Sequence, residues 1–390
     1  MHLIVGLNTG GAEANLSRLV GGMNRSRFEN IVVSLLKPGP VSVSIEQAGV
    51  PVVSLRINRG IPGPLGLLRL IRLMHSWNPD LVQTWMYHAD LLGGIAAKLN
   101  NGPPVIWNIR NGDSALSPSF MTRRVANLCA HLSSFLPARI VSCSNSGRDI
   151  HTAMGYSASR MEVIFNGYDL NHYRPDATAG IRLRDALGIA ADAKLVTIIG
   201  RYHPLKDHAG FLNAARIIRD ATKDAFFVMC GDQLSWDNAE LGDRIRDLAL
   251  TDCIFLLGRR KDVNDIMAAS SVVVSSSRSE GFPNVIAEAM ACGVTCVATD
   301  VGDSRLIIGS AGIVVPPRQP QALAEAVLTV LFQPPASADS IPAGRARIME
   351  NFELSSMIEK YERLYERVLS SDPQSNARWN GEHMTDSQTN

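Results

Sequence analysis

The sequence of 390 residues is long enough for two domains of ordinary size. Hydrophobic residues make up 46% and charged residues 19%, a globular balance that excludes a largely disordered chain. The net charge of +1 excludes a protein that coats nucleic acid or clings to membranes through its overall charge, and leaves such contacts to local basic patches.

The N-terminal residues and the cysteines indicate the compartment. The first apolar run is interrupted at Gly10 and Gly11, too early for a secretory signal, and no apolar run approaches the roughly 20 residues that span a bilayer. The six cysteines lack CxxC spacing and are predicted to be buried free thiols in a reducing compartment. Cys292 and Cys296 have no nearby histidine to complete a zinc site, so no metal site is predicted. We expect a cytoplasmic protein.

Short β-branched segments alternate with helical segments through the first half of the chain. The predicted strands are 3–7, 31–35, 81–84, 105–109, 140–143 and 163–165. The predicted helices are 12–23, 64–76, 89–99, 119–135 and 146–154, where apolar residues recur three or four apart. Such alternation is typical of a parallel sheet with helices on both faces.

The second half repeats this pattern. Its predicted strands are 195–199, 226–229, 254–256, 272–274, 295–298 and 313–315. Its predicted helices are 207–219, 239–249, 262–268, 284–291 and 320–331. Two sets of about six strands predict two doubly wound α/β domains, residues 1–170 and 171–350. The boundary is expected within 166–193, where Asn166–Gly167, Pro175 and a small polar run are typical of turns and linkers.

The C-terminal segment contains one more predicted helix. Residues 354–369, within a segment 351–370, place apolar side chains on one face, and this face needs a partner. The residues of that face are Met357, Tyr361, Leu364, Tyr365 and Val368. Residues 371–390 are polar and aperiodic, and they are predicted to be disordered.

The stretch 275–292 is the strongest candidate for a functional site. A buried strand ends in a polar loop with Glu280, and a helix then begins near Asn284 and contains Glu288. Ligands of open α/β sheets bind at the carboxyl ends of strands, and amides at a helix start donate to ligand oxygens. Carboxylates and amides suit a polyhydroxylated ligand. Taken alone, the stretch fits equally well a structural role in which Glu280 caps the helix and Glu288 faces water.

A second polar loop follows the predicted strand 195–199. Gly200 permits a close backbone approach to a ligand, while Arg201 and Lys206 offer a guanidinium fork and a point charge. This pair suits a diphosphate, although two solvated surface cations are the alternative. The chain has no Asp-x-Asp motif for a divalent metal, so these cations are expected to neutralise the diphosphate.

Three loops of the first half are further candidates. Gly10–Gly11 form a turn before the first helix, where backbone amides can approach a phosphate, although a tight turn alone explains the glycines equally well. The loops 85–90 and 108–113 contain His88 and Arg110 and are expected to open into the same cleft. His88 is interpreted either as an acceptor contact or as a hydrogen-bonded structural histidine.

Together these motifs resemble the retaining glycosyltransferases of family 4, also described as glycosyl transferases group 1. The resemblance covers residues 3–370 and is most specific in the second half. Its motifs are the glycine loop 10–13, the interdomain stretch 163–169, Gly200-Arg201 with Lys206, the strand ends 229–232 and 257–259, and Glu280 and Glu288 with seven residues between them. It implies the α/β GT-B fold, with two doubly wound Rossmann-like domains facing each other across a cleft.

The resemblance also implies a role for each matching residue. Arg201 and Lys206 stabilise the leaving diphosphate, and Glu280 positions the donor hexose, so these three are the predicted catalytic residues. Glu288 accepts from the ribose, and Arg259 lies near the base. The full set predicted to bind donor is Gly11, Gly200, Arg201, Lys206, Arg259, Glu280, Gly281, Phe282, Pro283, Asn284 and Glu288. The last helix is expected to cross back to the N-terminal, acceptor-side domain.

The acceptor side departs from the family pattern. Many members have a histidine near the reacting sugar after the fourth strand, where this chain has Asn108-Ile-Arg110-Asn. Arg110 is therefore a candidate replacement, and His88 is a candidate for part of the same role.

The expected reaction transfers a hexose from a UDP- or GDP-sugar to a glycan or lipid-linked acceptor in surface polysaccharide or glycolipid synthesis. It proceeds with retention, without a metal or other cofactor and without nucleic acid. The alternatives are a non-catalytic sugar-nucleotide-binding subunit, a nucleotide-sugar epimerase of the same architecture, and a glycosidase with two carboxylates. The stretches 64–75 and 120–124 join apolar residues to cations, so contact with the inner membrane face is a further hypothesis beside ordinary core-facing helices.

Overall fold

The computed structural model describes residues 1–57, 64–99, 102–110, 112, 119–333 and 341–371. The chain forms two compact units, unit 1 with residues 1–167 and the chain from Leu354 onward, and unit 2 with Tyr168–Glu353. The predicted disordered tail lies outside the described residues except for Ser371. Asn111 and Asp113 of the loop 108–113 also lie outside them.

Unit 1 is built on a parallel sheet of seven strands. These are β1 (His2–Ile4), β2 (Val32–Ser34), β3 (Val52–Ser54), β4 (Val82–Trp85), β5 (Val105–Ile109), β6 (Arg139–Ser142) and β7 (Met161–Val163). Their order is β3-β2-β1-β4-β5-β6-β7, so the direction of winding reverses between β1 and β4. This is the doubly wound arrangement, whose ligands bind beyond the carboxyl ends of the strands.

Six helices connect these strands and cover both faces of the sheet. They are α1 (Gly11–Gly22), α2 (Pro40–Gln47), α3 (Pro64–Trp77), α4 (Tyr87–Leu99), α5 (Phe120–Leu132) and α6 (Asn145–Ala153). Apolar residues of α3, α4 and α5 form the core on one face, and those of α1 and α2 belong to the core on the other.

Unit 2 repeats the architecture with six parallel strands. These are β8 (Lys194–Ile199), β9 (Ala225–Cys230), β10 (Ile254–Gly258), β11 (Val272–Ser275), β12 (Cys296–Thr299) and β13 (Ile313–Val315), in the order β10-β9-β8-β11-β12-β13. Its helices are α7 (Ala177–Leu187), α8 (His208–Ala221), α9 (Ala239–Asp247), α10 (Val263–Ala269), α11 (Asn284–Ala291), α12 (Ser304–Ile308), α13 (Pro320–Leu331) and α14 (Ala343–Asn351). The predicted α/β fold with two parallel sheets is therefore confirmed.

The final helix, α15 (Leu354–Ser371), belongs to unit 1 and packs against α1. Its predicted apolar face is buried in the core that contains Leu16 and Leu19. The Tyr361 hydroxyl accepts a hydrogen bond from the Asn108 side-chain amide at 2.9 Å, and the Tyr365 hydroxyl donates to Gln83. The helix thus completes the second face of the first sheet.

Several elements of the fold were not predicted, among them the helices α2, α12 and α14. The first sheet has a seventh strand, β3, whose three residues are too few to show a strand pattern. The segment 166–193 was predicted as linker but contains α7. Asp176 caps α7 by accepting from the Thr178 and Ala179 amides, and Gly188 ends it with a positive φ of 67°.

All six cysteines are buried free thiols, as predicted. In the part of the chain that the structure describes, no helix has the length and apolar composition that a membrane crossing requires.

Candidate active site

Two glycines bring the loops after β8 and β9 together. The Gly200 amide donates to the Cys230 carbonyl at 2.9 Å. Gly231 has a φ of 155°, and a Cβ at this position would overlap the Gly200 carbonyl. Only glycine fits there, so the backbone that leads into Arg201 is held close to the end of β9.

Lys206 and Glu280 form an ion pair at the carboxyl edge of the second sheet. Lys206 ends a short 3-10 turn, Pro204–Lys206, in the loop after β8. Its Nζ lies 2.5 Å from Oε1 of Glu280, in the loop after the neighbouring strand β11. The Ser277 hydroxyl donates to the same oxygen at 2.6 Å. Both charged side chains are half-buried, so the structure brings together two of the predicted catalytic residues in a partly desolvated site.

Residues that the sequence analysis did not single out hold this loop in place. Asp207 has a positive φ of 49° and caps α8 by accepting from the Gly210 amide. Its carboxylate also pairs with Arg278 at 2.7 Å. The Ser276 hydroxyl donates to the carbonyls of Lys206 and Asp207 at 2.8 and 3.1 Å. The polar run 275–279 was the available signal for these contacts, but their partners lie about 70 residues away in the chain.

The loop after β11 continues into α11 without a side-chain cap. Pro283 occupies the N-cap position, so Glu280 does not cap the helix and the structural alternative for Glu280 is wrong. Gly281, Phe282 and Pro283 are buried. Asn284, the first helical residue, accepts a hydrogen bond from the Tyr168 hydroxyl at 2.6 Å. No side-chain hydrogen bond caps this helix start, and donation by its amides to ligand oxygens stays a prediction.

The other predicted donor side chains of unit 2 differ in burial. Glu288 is half-buried one turn after Asn284, on the same side of α11. Arg201 and Arg259 are exposed, and Arg259 lies 3.3 Å from Asp232 at the end of β9. A pair this exposed contributes little to stability, which leaves Arg259 available to a ligand.

Two histidines beside Lys206 stay uncharged at neutral pH. Burial, followed by the positive charge of Lys206, lowers the pKa of His208 to about 4. Both nitrogens of its ring are buried without a hydrogen-bond partner among the described residues. Burial and the charges of Arg201 and Lys206 also lower the pKa of His203. The positive charge of this loop therefore comes from Arg201 and Lys206.

The predicted glycine turn of unit 1 lies at the start of α1. Gly10 occupies the N-cap position without a side-chain cap, and Gly11 is exposed as the first helical residue. Gly39 packs against the backbone just before this turn, because a Cβ at Gly39 would overlap the Leu7 carbonyl. Donation by the Gly11 amide to a phosphate stays a prediction.

His88 and Arg110 follow the neighbouring strands β4 and β5. His88 is half-buried in the first turn of α4, and burial lowers its pKa. Arg110 lies over the Trp85 ring at 5.4 Å and donates to the Asn166 side chain. The loop neighbours Asp90 and Asn108, which were expected to open into a cleft with these residues, are fully buried instead.

A groove of about 530 Å³ lies elsewhere in unit 1, at the amino ends of β5 and β6. Lys98, Phe135, Arg139 and Arg160 contribute to its lining, and none of the predicted site residues does. Within the described ranges, no three His, Cys, Asp or Glu side chains converge as metal ligands.

Two protein-family models match most of this chain. The Glycosyltransferase Family 4 model matches residues 9–172, and the model described as Glycosyl transferases group 1 matches residues 193–333. The chain belongs to the group 1, family 4 glycosyltransferases. The second match includes every predicted donor residue of unit 2.

Curated relatives of this glycosyltransferase are distant. The Escherichia coli UDP-Gal:alpha-D-GlcNAc-diphosphoundecaprenol alpha-1,3-galactosyltransferase is 26% identical over 245 residues, which cover 62% of this chain and 63% of that protein. EpsF of Bacillus subtilis is 26% identical over 310 residues, or 77% and 78% of the two chains. The chain thus spans less than two thirds of the galactosyltransferase it matches.

Solved structures share the fold across nearly the whole length. HepE of Anabaena in complex with UDP-glucose has a TM-score of 0.81 at 23% identity, with 94% of this chain and 99% of that chain covered. A glycosyltransferase from Rickettsia africae has a TM-score of 0.81 at 17% identity, with 95% and 98% covered. The fold is therefore that of the GT-B glycosyltransferases, with two Rossmann-like domains.

Proposed function

We propose that this protein is a retaining, metal-independent hexosyltransferase of the cytoplasm. It transfers a hexose from a nucleotide diphosphate sugar to a glycan or lipid-linked acceptor in surface polysaccharide or glycolipid synthesis. The observation that carries the proposal is the ion pair between Lys206 and Glu280, which joins the loops after β8 and β11.

The pairing matches the covalent structure of a sugar nucleotide. The hexose and the diphosphate are bonded to each other, so the groups that bind them must also be neighbours. Lys206 can donate to diphosphate oxygens, while Glu280 can accept from sugar hydroxyls. Their 2.5 Å contact supports binding of the diphosphate and the hexose side by side, and Arg201 on the same loop supplies a second cation.

Catalysis then rests on stabilising the leaving diphosphate. The bond between the anomeric carbon and the diphosphate oxygen breaks, and the acceptor oxygen bonds to the same face of that carbon. The departing oxygen takes the acceptor proton. Arg201 and Lys206 offset the negative charge that develops on the diphosphate, an electrostatic effect that accounts for much of many enzymes' rate enhancement. Glu280 holds the hexose while this happens.

A glycosidase fits the site less well. Such an enzyme needs one carboxylate as acid and another as base or nucleophile. Oε1 of Glu280 already accepts from Lys206 and Ser277, so the carboxylate is held ionised and does not serve as the acid.

The relatives support a UDP-sugar as the donor to test first. The HepE structure contains UDP-glucose, and the E. coli relative is named for UDP-Gal. The acceptor in that relative's name, GlcNAc-diphosphoundecaprenol, supports a lipid-linked acceptor. GDP-sugars form the second arm of a donor screen.

Arg201→Ala and Lys206→Ala test the proposal directly. Each variant is expected to lose about 10²–10³ in kcat with a UDP-sugar, because each removes one group that stabilises the leaving diphosphate. Product mass and initial rates measure the effect, and wild-type turnover is expected to persist in EDTA.

Arg246→Ala is the matched control, since Arg246 is an exposed cation of α9 that pairs with Asp243 on the same helix. Near-wild-type turnover of both loop variants would contradict the proposal. Conversion of donor without any acceptor would support an epimerase, and tight donor binding without turnover would support a binding subunit.

A further inference from the structure

Arg110 lies beside the point where the winding of the first sheet reverses. It follows β5 directly, and its guanidinium lies over the ring of Trp85, which ends β4. The strand order β3-β2-β1-β4-β5 places the reversal between β1 and β4. Ligands of open α/β sheets bind in the crevice outside the carboxyl ends of the strands at this point. The charge of Arg110 therefore lies where a ligand of unit 1 is expected.

Neutral groups hold this guanidinium. Its Nη2 donates to Oδ1 of Asn166, an oxygen that also accepts from the side-chain amide of Asn15 at 3.2 Å. The ring of Trp85, with its centre 5.4 Å away, adds a cation–π contact. In the described part of the chain, no carboxylate forms an ion pair with Arg110. The protein thus positions the charge without neutralising it.

The second terminal nitrogen of Arg110 has no hydrogen-bond partner. Nη1 is buried from solvent and bonds to no described residue. A charged donor that has lost its water is unfavourable unless another acceptor replaces that water. The Arg110 side chain as a whole is only half-buried, so a ligand can approach its accessible side. The guanidinium therefore lacks a counterion that a bound anion can supply.

Arg345 of unit 2 shows how this molecule satisfies an arginine of structural function. It is half-buried like Arg110, yet both of its terminal nitrogens are bonded. Its Nη1 donates to the carbonyls of Tyr173 and Ala291, and its Nη2 donates to that of Leu170 at 3.0 Å. A purely structural function for Arg110 would leave the unpaired Nη1 unexplained.

The side chains around Arg110 are fixed by buried contacts of their own. The indole nitrogen of Trp85 donates to Nδ1 of His2 at 3.4 Å, and the side-chain amide of Asn108 donates to the Tyr361 hydroxyl at 2.9 Å. Trp85 and Asn108 are fully buried. A guanidinium on such a rigid support loses little conformational freedom when a ligand binds, and this favours affinity.

We propose that Arg110 binds a phosphate group of the acceptor. A guanidinium presents its donors in a fork that matches two phosphate oxygens. The inference rests on the proposed sugar transfer, in which Arg201 and Lys206 of unit 2 neutralise the donor diphosphate. A further cation in unit 1 then serves a second anion. Among the proposed acceptors, a sugar linked to lipid through a phosphate carries this anion, whereas a neutral glycan does not.

The departure from the family pattern becomes a determinant of specificity in this proposal. Arg110 is the candidate replacement for a histidine that many members have near the reacting sugar. An imidazole with an ordinary pKa of about 6.5 is mostly uncharged above neutral pH, whereas a guanidinium is always charged. The substitution thus supplies a permanent positive charge, which selects a phosphate-linked acceptor over a neutral one.

Equilibrium binding of two acceptor analogues tests the proposal with the full chain. One analogue is GlcNAc joined to a hexyl chain through a diphosphate, and the other is the hexyl glycoside of GlcNAc, which has no phosphate. Saturating UDP is present so that the predicted donor cations are occupied. Wild-type protein is expected to bind the diphosphate analogue at least about tenfold more tightly, the effect of a hydrogen bond to a charged group. Equal affinity for the two, or no binding of the diphosphate analogue, would overturn the proposal.

Three variants of Arg110 identify the source of this preference. R110Q is expected to lose about 10–10²-fold in affinity for the diphosphate analogue and to bind the glycoside and UDP as the wild type does. R110K should lose less, because it keeps the charge but not the fork. R110H at pH 8 should resemble R110Q, because its imidazole is then uncharged.

Two results with these variants would contradict the proposal. An equal loss for both analogues would mean that Arg110 only maintains the shape of the site. A loss of UDP affinity would assign the anion to the donor instead of the acceptor. Circular dichroism verifies folding, and R110H provides the decisive comparison if R110Q does not fold, because it introduces the residue of the family pattern.

R139Q is the matched control. Arg139 is an exposed cation at the start of β6, on the opposite edge of the same sheet, and it should be replaceable without effect on either analogue. The binding measurement requires no turnover. Absence of sugar transfer would therefore contradict the proposed function alone, whereas loss of the difference between the two analogues would contradict the assignment of Arg110.

Discussion

Asp90 shows how a single residue can change its interpretation once its surroundings are known. The sequence places it two residues after His88, in a loop expected to face a ligand. In the structure its Oδ1 accepts from the Thr84 hydroxyl at 2.6 Å, and its Oδ2 has no hydrogen-bond partner in the described part of the chain. Burial raises the pKa of this carboxyl to about 7, despite the opposing effect of the hydrogen bond from Thr84. The site is suited to a protonated acid.

This raised pKa predicts a specific pH dependence for Asp90→Asn. Between the unfolded value of 3.8 and the folded value of about 7, the unfolded chain loses this proton while the folded chain keeps it. The free energy of unfolding therefore falls as pH rises through this window, by up to about 1.4 kcal/mol per pH unit, and is constant outside it. Asparagine cannot ionise, so the variant lacks this slope.

Urea denaturation from pH 4 to pH 8 measures the effect. Unfolding of unit 1 is monitored by the fluorescence of its buried Trp85 and Trp107. The informative quantity is the difference in the free energy of unfolding between wild type and variant, because His2 has a lowered pKa of about 3 and produces an opposite slope in both. Asp149→Asn, at an exposed position of the same unit, should leave the wild-type slope unchanged. If the free energy of unfolding depends on pH in the same way for wild type and Asp90→Asn, the prediction is wrong.

The parts of the candidate site that depend on the spacing of residues along the chain were predictable. The seven-residue interval between Glu280 and Glu288 and the loop from Gly200 to Lys206 are local patterns, and the structure joins Lys206 to Glu280. Asp207, Ser276 and Arg278 were missed because their roles depend on partners brought together by two separate strands. Burial of Asn108 likewise depends on Tyr361, more than 250 residues away in the chain.

At the scale of the element, the strands and helices that the sequence could not predict are mostly short, and the close approach of loops at Gly200 and Gly231 was also not predictable. The strands β3 and β7 have only three residues each, so their limits are set by pairing with β2 and β6 rather than by their own pattern. The helix α7 has few buried residues, and its capping by Asp176 and Gly188 is a weaker signal than a periodic apolar face. Longer amphipathic helices, such as α8 and α15, were predictable from periodicity.

Gly231→Ala tests how closely the loops after β8 and β9 must approach. A methyl group there meets the Gly200 carbonyl, so the backbone leading to Arg201 must move as well as bear the strained φ. We expect a loss of more than about 2 kcal/mol in the free energy of unfolding, beyond the strain of one residue in the left-handed region. Transfer activity is expected to fall together with stability because Arg201 and Lys206 share the displaced loop.

Gly258→Ala is the matched control for that substitution. Gly258 ends the adjacent strand β10 with a φ of 60°, but nothing lies within 4 Å of the position a Cβ would take. It should lose only about 1–2 kcal/mol, the ordinary difference for a left-handed residue. Thermal unfolding compares the two variants, and equal losses would show that the close approach to Gly200 is not the cause.

At the scale of the whole molecule, the two units carry different parts of the predicted site. The predicted donor residues lie in unit 2 except for Gly11, whereas His88 and Arg110 lie in unit 1. A nucleotide that binds the folded chain alone stabilises it by about 2.7 kcal/mol when its concentration is 100 times Kd. The unit whose amides are stabilised by the nucleotide therefore identifies the unit that binds the donor.

Hydrogen exchange with and without UDP measures this location. Amides of the segments 200–207 and 280–288 are expected to exchange more slowly with UDP, because the diphosphate and ribose engage Lys206, Glu288 and the start of α11. Protection of residues 10–13 is expected as well, since Gly11 is predicted to donate to the diphosphate.

EDTA should leave the pattern of protection unchanged because Arg201 and Lys206 neutralise the charge of the diphosphate. Lys206→Ala should need more UDP for the same protection, whereas Lys223→Ala, two residues beyond the end of α8, should behave as the wild type does. Protection that appears only with added Mg²⁺, or only around His88 and Arg110, would contradict the assignment of the donor to unit 2.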